Sequence, residues 1–162
     1  MKKSIIAIFM AFTMVFGVFA NLSVVKVEAK NNGELKASER KMVKEKLIKF
    51  FEIQKMCMDD LMYTVEEDGN ESAAYLCEDI IDLFYEIVSS YKKDLKKVKD
   101  KQAREAFTNI IKAYESMIGY YAFVKKDLTI ETEDPNLATA IDKQYALSVQ
   151  YITKTTNMSK RW

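Results

Sequence analysis

Residues 103–124 read AREAFTNIIKAYESMIGYYAFV, and the spacing within this stretch decides the fold. Its apolar positions Ala103, Phe107, Ile110, Tyr114, Met117, Tyr121 and Val124 alternate steps of four and three. That alternation keeps one seam of an α-helix turned toward a partner helix, as in bundles and coiled coils. The segment before it repeats the pattern through Cys77, Ile81, Phe84, Val88, Tyr91, Leu95 and Val98. A looser version runs through Val43, Leu47, Phe50, Cys57 and Leu61, and a fourth through Leu137, Ile141, Tyr145, Val149 and Ile152. Four amphipathic helices with short connections predict an all-α, antiparallel up-down four-helix bundle.

The breaks between the segments carry their own chemistry. Gly69-Asn70 interrupts the first pair, and Ser72 is the cap expected for the second helix. Asp134-Pro135 is a cap followed by proline at the first helical position. Asp127–Glu133 reads as a linker that could hold a short strand over Leu128 and Ile130, and the threonine-rich end of the last helix is expected to fray. Lys97–Gln102 has neither glycine nor proline, so its turn rests on the five-residue step from Val98 to Ala103, with Asp100 as cap. Without that turn, residues 72–126 would form one rod of about 80 Å and suit an elongated coiled-coil dimer.

The N-terminus adds an address. Met1-Lys2-Lys3 is followed by an apolar run from Ser4 to Ala20, then by two small-residue cleavage patterns ending at Ala20 and Ala29. Residues 1–29 are therefore expected to be a secretory signal peptide cleaved after Ala29, with cleavage after Ala20 as the alternative. An uncleaved leader acting as an anchor is the rival, and membrane contact is expected only in that case. Residues 30–162 then form a single domain outside the cytoplasm. The short leader and lysine-rich, histidine-free composition fit a bacterial exported protein.

Composition removes most catalytic classes. The chain has no histidine, one proline and, beyond the leader, three glycines. Ser-His and Cys-His nucleophiles are thus excluded, and phosphate-cradling glycine loops have no material. Carboxylates on helix surfaces could be paired on paper, but no cleft accompanies them, so no enzyme and no cofactor are expected.

Charge is segregated. From Met56 to Tyr91 there is no Lys or Arg but ten acids, among them Asp59, Asp60, Glu78 and Asp82. Lysine-rich segments flank it, with Lys41 and Lys44 before and Lys92, Lys93, Lys96 and Lys97 after. A hairpin about Gly69 gathers the acids at the turn and the bases at the far end, where Lys154, Lys160 and Arg161 also arrive. This arrangement opposes the dipole of the first helix, at a few tenths of a kcal/mol per terminal charge. The candidate interaction residues are these ten. The expected partners are another protein or an anionic component of the cell envelope, with self-association of opposite poles as a further route and no nucleic acid. The acidic turn is no standard calcium loop, because Gly69 at the glycine position puts Tyr75 where the twelfth-position carboxylate belongs.

Cys57 and Cys77 stand ten residues either side of Glu67, level with one another in a hairpin, and a disulfide between them is expected in an exported chain. Met56, Met58 and Met62 could join them as soft copper(I) ligands, although the same residues serve as flexible core fillers. Gly119 among tyrosines suggests a close helix crossing or a small cavity. The functional expectation is an exported, non-catalytic interaction module working through its charged poles. A carrier bundle for an apolar ligand or metal is the alternative, and an elongated coiled-coil structural protein the second.

Overall fold

The computed structural model describes residues 32–162, with side chains from Leu35 onward. The signal peptide and both cleavage patterns lie outside the described residues. Four helices make up nearly all of the rest: α1 Asn32–Glu67, α2 Gly69–Leu95, α3 Lys101–Thr129 and α4 Pro135–Ser159. No strand occurs among the described residues, so Leu128 ends α3 rather than pairing in a sheet.

The helix α3 is the axis of the core. All seven residues of its four-three seam are buried, and so are Ala106, Asn109, Ile111, Ala113, Ser116, Ile118 and Tyr120 beside them. The reason is that α3 is covered on several sides, packing against α2, α4 and α1. A ring cluster sits at mid-height. Tyr114 is fully buried and meets Phe50 of α1 at 4.8 Å and Phe84 and Tyr91 of α2 at 5.2 and 5.8 Å, all near edge-to-face. That is the geometry the ring quadrupoles favour.

Pairwise contacts fix which ends meet. Between α1 and α2, Lys46 reaches Asp94 at 3.6 Å. Between α2 and α3, Lys92 pairs with Glu115 at 2.7 Å, and Glu78 pairs with Lys125. Between α3 and α4, Glu105 pairs with Lys154 at 2.8 Å, and Thr155 Oγ1 donates to the Ala106 carbonyl at 3.2 Å. Tyr121 of α3 accepts a hydrogen bond from Gln54 of α1 at 3.1 Å.

The boundaries correct several expectations. Gly69 does break the first pair, at φ +85°, where a side chain would be strained. Ser72, however, is no cap: it lies inside α2, and its hydroxyl donates to the Asp68 carbonyl four residues back. The end of α4 does not fray, because Thr155 and Thr156 are buried and donate to main-chain carbonyls. The turn before α3 is real. Asp100 caps it, accepting from Gln102 N at 2.7 Å and Ala103 N at 3.0 Å, so residues 72–126 are not one rod.

Asp100 also predicts a pH dependence. Burial disfavours its charge, but the amides of Ala103 and Gln102 and the Arg40 guanidinium outweigh this and hold its carboxyl below the ordinary range. A depressed folded value contributes stability that is complete above the unfolded carboxyl value near 4 and is lost as pH falls through the folded value. Asp100→Ala should cost about 1–2 kcal/mol at neutral pH, the range for a helix N-cap. In urea titrations the gap to the parent chain should narrow as pH drops below about 4. A gap constant from neutral to strongly acid pH would show that ionised Asp100 is not the source.

Candidate interaction poles

Four helix termini build the basic end. The first turns of α1, the last turns of α2, the connection to α3 and the tail of α4 are tied into one cluster. Glu39 accepts from the main-chain N–H groups of Lys99 at 3.0 Å and Asp100 at 2.7 Å, closing the α2–α3 turn from 60 residues away. Beside it, Arg40 bonds Asp100 at 3.1 Å and Gln102 at 3.0 Å, and its guanidinium lies 5.6 Å from the centre of the Trp162 ring. Nearly two turns along, Lys46 sits over the Tyr91 ring at 4.2 Å. Glu39 and Asp100 are thus engaged in holding the turn, while lysines outnumber the remaining acids around it.

Dividing the molecule at the Tyr114 cluster makes the asymmetry quantitative. From Leu35 onward, the half containing the α2–α3 turn carries seventeen bases and five acids, and the other half four bases and seventeen acids. The two halves differ from neutrality by about twelve charges in opposite senses. Along the 29 residues of α3 the ends lie about 44 Å apart.

The sequence-derived candidates fall into two groups. Lys92 is paired with Glu115, Lys97 with Asp94, Asp59 with Lys55, and Glu78 with Lys125. No ion pair engages Lys41, Lys44, Lys93 or Lys96 at the basic end, or Asp60 or Asp82 at the acidic end, among the described residues; all but the partly covered Lys44 are exposed. Sequence reasoning missed the Glu39–Arg40–Asp100 tie, since nothing in a linear pattern pairs positions 60 apart. It also missed Lys125 and Lys126, which α3 brings to the acidic end.

The remaining candidates are internal. Cys57 and Cys77 are buried free thiols, so the disulfide expected from sequence is not formed in the structure. Burial, aided by the charge of Asp60, pushes the Cys57 thiol up to about 11, and burial pushes Cys77 to about 12. Both are protonated at neutral pH and poor nucleophiles. Met58 is buried with the Tyr120 hydroxyl 4.0 Å from its sulfur, whereas Met56 is exposed. No group of three Cys, Asp or Glu side chains is placed to hold a metal ion among the described residues.

Of the two readings of Gly119, the close helix crossing holds and the small cavity does not. A Cβ there would lie 3.0 Å from the Gln144 side chain, so the glycine serves a close α3–α4 approach. A groove of about 630 Å³ lies instead between α2 and α3, lined by Glu78, Ile81, Asp82, Ala122, Lys125 and Lys126. It is open to solvent and bridged by the Glu78–Lys125 pair. No helix among the described residues is long and apolar enough to cross a membrane. No family model, curated protein or solved structure matches the chain.

Proposed function

We propose that this chain is an exported, non-catalytic up-down four-helix bundle that binds an anionic partner through its basic pole. The antiparallel order is supported by Lys46–Asp94, Glu78–Lys125 and Glu105–Lys154, in each of which a residue in the first half of one helix meets one late in the next. Export is supported by the leader pattern of residues 1–29. The observation that carries the binding role is the convergence of four helix termini into a pole with a large cationic excess.

Physical chemistry favours a role for that excess over mere solvation of charged faces. Gathering like charges costs stability, and α1 accepts an unfavourable dipole to do it, ending on Glu66 and Glu67 with no base in its last turn. A local rule broken without a local gain marks a functional surface. Two acids that could have neutralised the pole, Glu39 and Asp100, face inward to fix the turn.

The test is binding of inorganic polyphosphate, measured by titration calorimetry at low and at high salt. The parent chain should bind at low salt and lose most of its affinity at high salt, because contacts between exposed charges are screened beyond about 8 Å at physiological strength. Lys93→Gln/Lys96→Gln/Lys99→Gln should weaken binding by about ten-fold, each lysine contributing a few tenths of a kcal/mol to the local field. Affinity unchanged by salt, or by the triple substitution, would refute a charge-based pole.

A further inference from the structure

The basic pole is also the end at which the apolar N-terminal run joins the bundle. Ser4–Ala20 is apolar, and only residues 21–31 separate it from α1. Eleven residues span at most about 40 Å when fully extended. While the leader is still attached, the lysine-rich end is therefore the end of the bundle held nearest the bilayer.

The pole is not purely ionic. Leu35, at the start of α1, is about half exposed, and Trp162 lies partly exposed beneath the Arg40 guanidinium. The exposed Lys36, Lys41, Lys93, Lys96, Lys160 and Arg161 belong to the same end of the molecule. An exposed leucine, and a tryptophan that packs against the core on one side and stays partly exposed, at an end rich in cations suit a headgroup layer, where indole rings and apolar side chains meet the boundary and lysines meet phosphate. A water-soluble polyanion would use the cations alone.

Net charge does not oppose this docking. The whole chain is near neutrality, with a formal charge of +1. The acidic end, however, lies about 44 Å from the basic end along α3, several screening lengths of about 8 Å. A charged surface touching one pole does not feel the other. Near the membrane the molecule behaves as a polycation, and the acidic end points away from it.

We infer that the anionic partner of the basic pole is a lipid bilayer rich in anionic headgroups, on which the bundle stands with its α2–α3 turn, Leu35 and Trp162 against the surface. This rests on the anionic-partner reading above and narrows it. It also supplies a route to the membrane other than the uncleaved leader.

Trp162 is the chain's only tryptophan and so reports on the pole directly. Protein collected as its host exports it is mixed with vesicles of phosphatidylcholine alone, or with one third phosphatidylglycerol. A retained leader would bind both kinds, so the reading is the ratio between them. The expected result is at least a ten-fold preference for the anionic vesicles at low salt. Trp162 emission should shift to the blue and be quenched by brominated lipid. Lys93→Gln/Lys96→Gln/Lys99→Gln, with helicity confirmed by circular dichroism, should lose most of the preference, and Asp59→Asn/Asp60→Asn/Glu66→Gln should keep it. Equal binding to both vesicle kinds, or sedimentation with Trp162 unshifted and unquenched, would overturn the inference. Salt-sensitive polyphosphate binding without vesicle binding would overturn the lipid assignment alone, and failure of both assays would overturn the anionic-partner reading with it.

Discussion

Tyr114→Ala should remove about 4 kcal/mol of stability, the range for deleting a large buried aromatic side chain and a large share of what a domain has to lose. Its side chain bridges three helices of the core. The ring touches Phe50, Phe84 and Tyr91, and so joins α1 and α2 to α3 at one point. Alanine would leave a cavity that three helices must collapse together to fill, and cavities that collapse poorly are the costly ones. The informative contrast is Tyr114→Phe. Burial, with the neighbouring Tyr91 hydroxyl, raises the Tyr114 hydroxyl far above its ordinary range, so it is neutral at every working pH. Its deletion should change stability by about 1 kcal/mol or less. Urea denaturation of the three proteins measures both differences. An alanine variant within about 1 kcal/mol of the parent would mean that the ring cluster does not hold α1 to the bundle.

That cluster was legible in the sequence only from one side. The four-three spacing marked Tyr114 and its six companions, and every one of them is buried. What spacing cannot report is how many partners a helix has. Asn109 and Ser116 of α3 lie off the four-three seam and are still buried, because neighbouring helices cover its flanks, and Asp127, expected in the linker, is buried in the last turn of α3. The small hydroxyls of α4 misled in the same way. Ser148, Thr155, Thr156 and Ser159 look polar in a hydropathy pattern, yet Thr155, Thr156 and Ser159 satisfy their hydroxyls on carbonyls of α4 and α3 and enter the core without penalty. Gln54 is buried because Tyr121 offers its amide a partner from another helix, which no local pattern shows.

The poles were more legible than the core, since they need only the direction of each helix. Once α1 and α2 reverse at Gly69, the acids of residues 59–86 must share an end, and the lysines either side must share the other. Which of those charges face outward was not legible. Glu39 and Asp100 resemble counter-ions in a list of residues, but the first bonds main-chain N–H groups of the turn and the second caps α3. What reaches a partner at that end is therefore set by which side chains face outward as well as by composition.

Ala106→Leu is expected to lower stability by about 3 kcal/mol, the upper part of the range for overpacking a filled core. Ala106 has no exposed surface, and its carbonyl is the acceptor for Thr155 Oγ1 at 3.2 Å, a side-chain-to-main-chain bond between helices. Such a bond forms only where two helices approach closely, and the small residues Ala103, Ala113 and Gly119 of α3 extend that closeness along its length. Three added carbons must push α4 outward and break the Thr155 bond, since no space remains beside residue 106. The control is Ala122→Leu on the exposed face of the same helix, which should change stability by no more than about 0.5 kcal/mol. Thermal unfolding of both separates crowding from helix propensity, which the two substitutions alter equally. An Ala106→Leu protein as stable as the control would show that α3 and α4 are not in close register. The same variant separates packing from charge. A shift of α4 by an ångström or two is small against a screening length of about 8 Å, so the lysines remain one pole. Its folded fraction should still prefer anionic vesicles, and loss of that preference with the fold intact would tie docking to the exact placement of Lys154, Lys160 and Arg161.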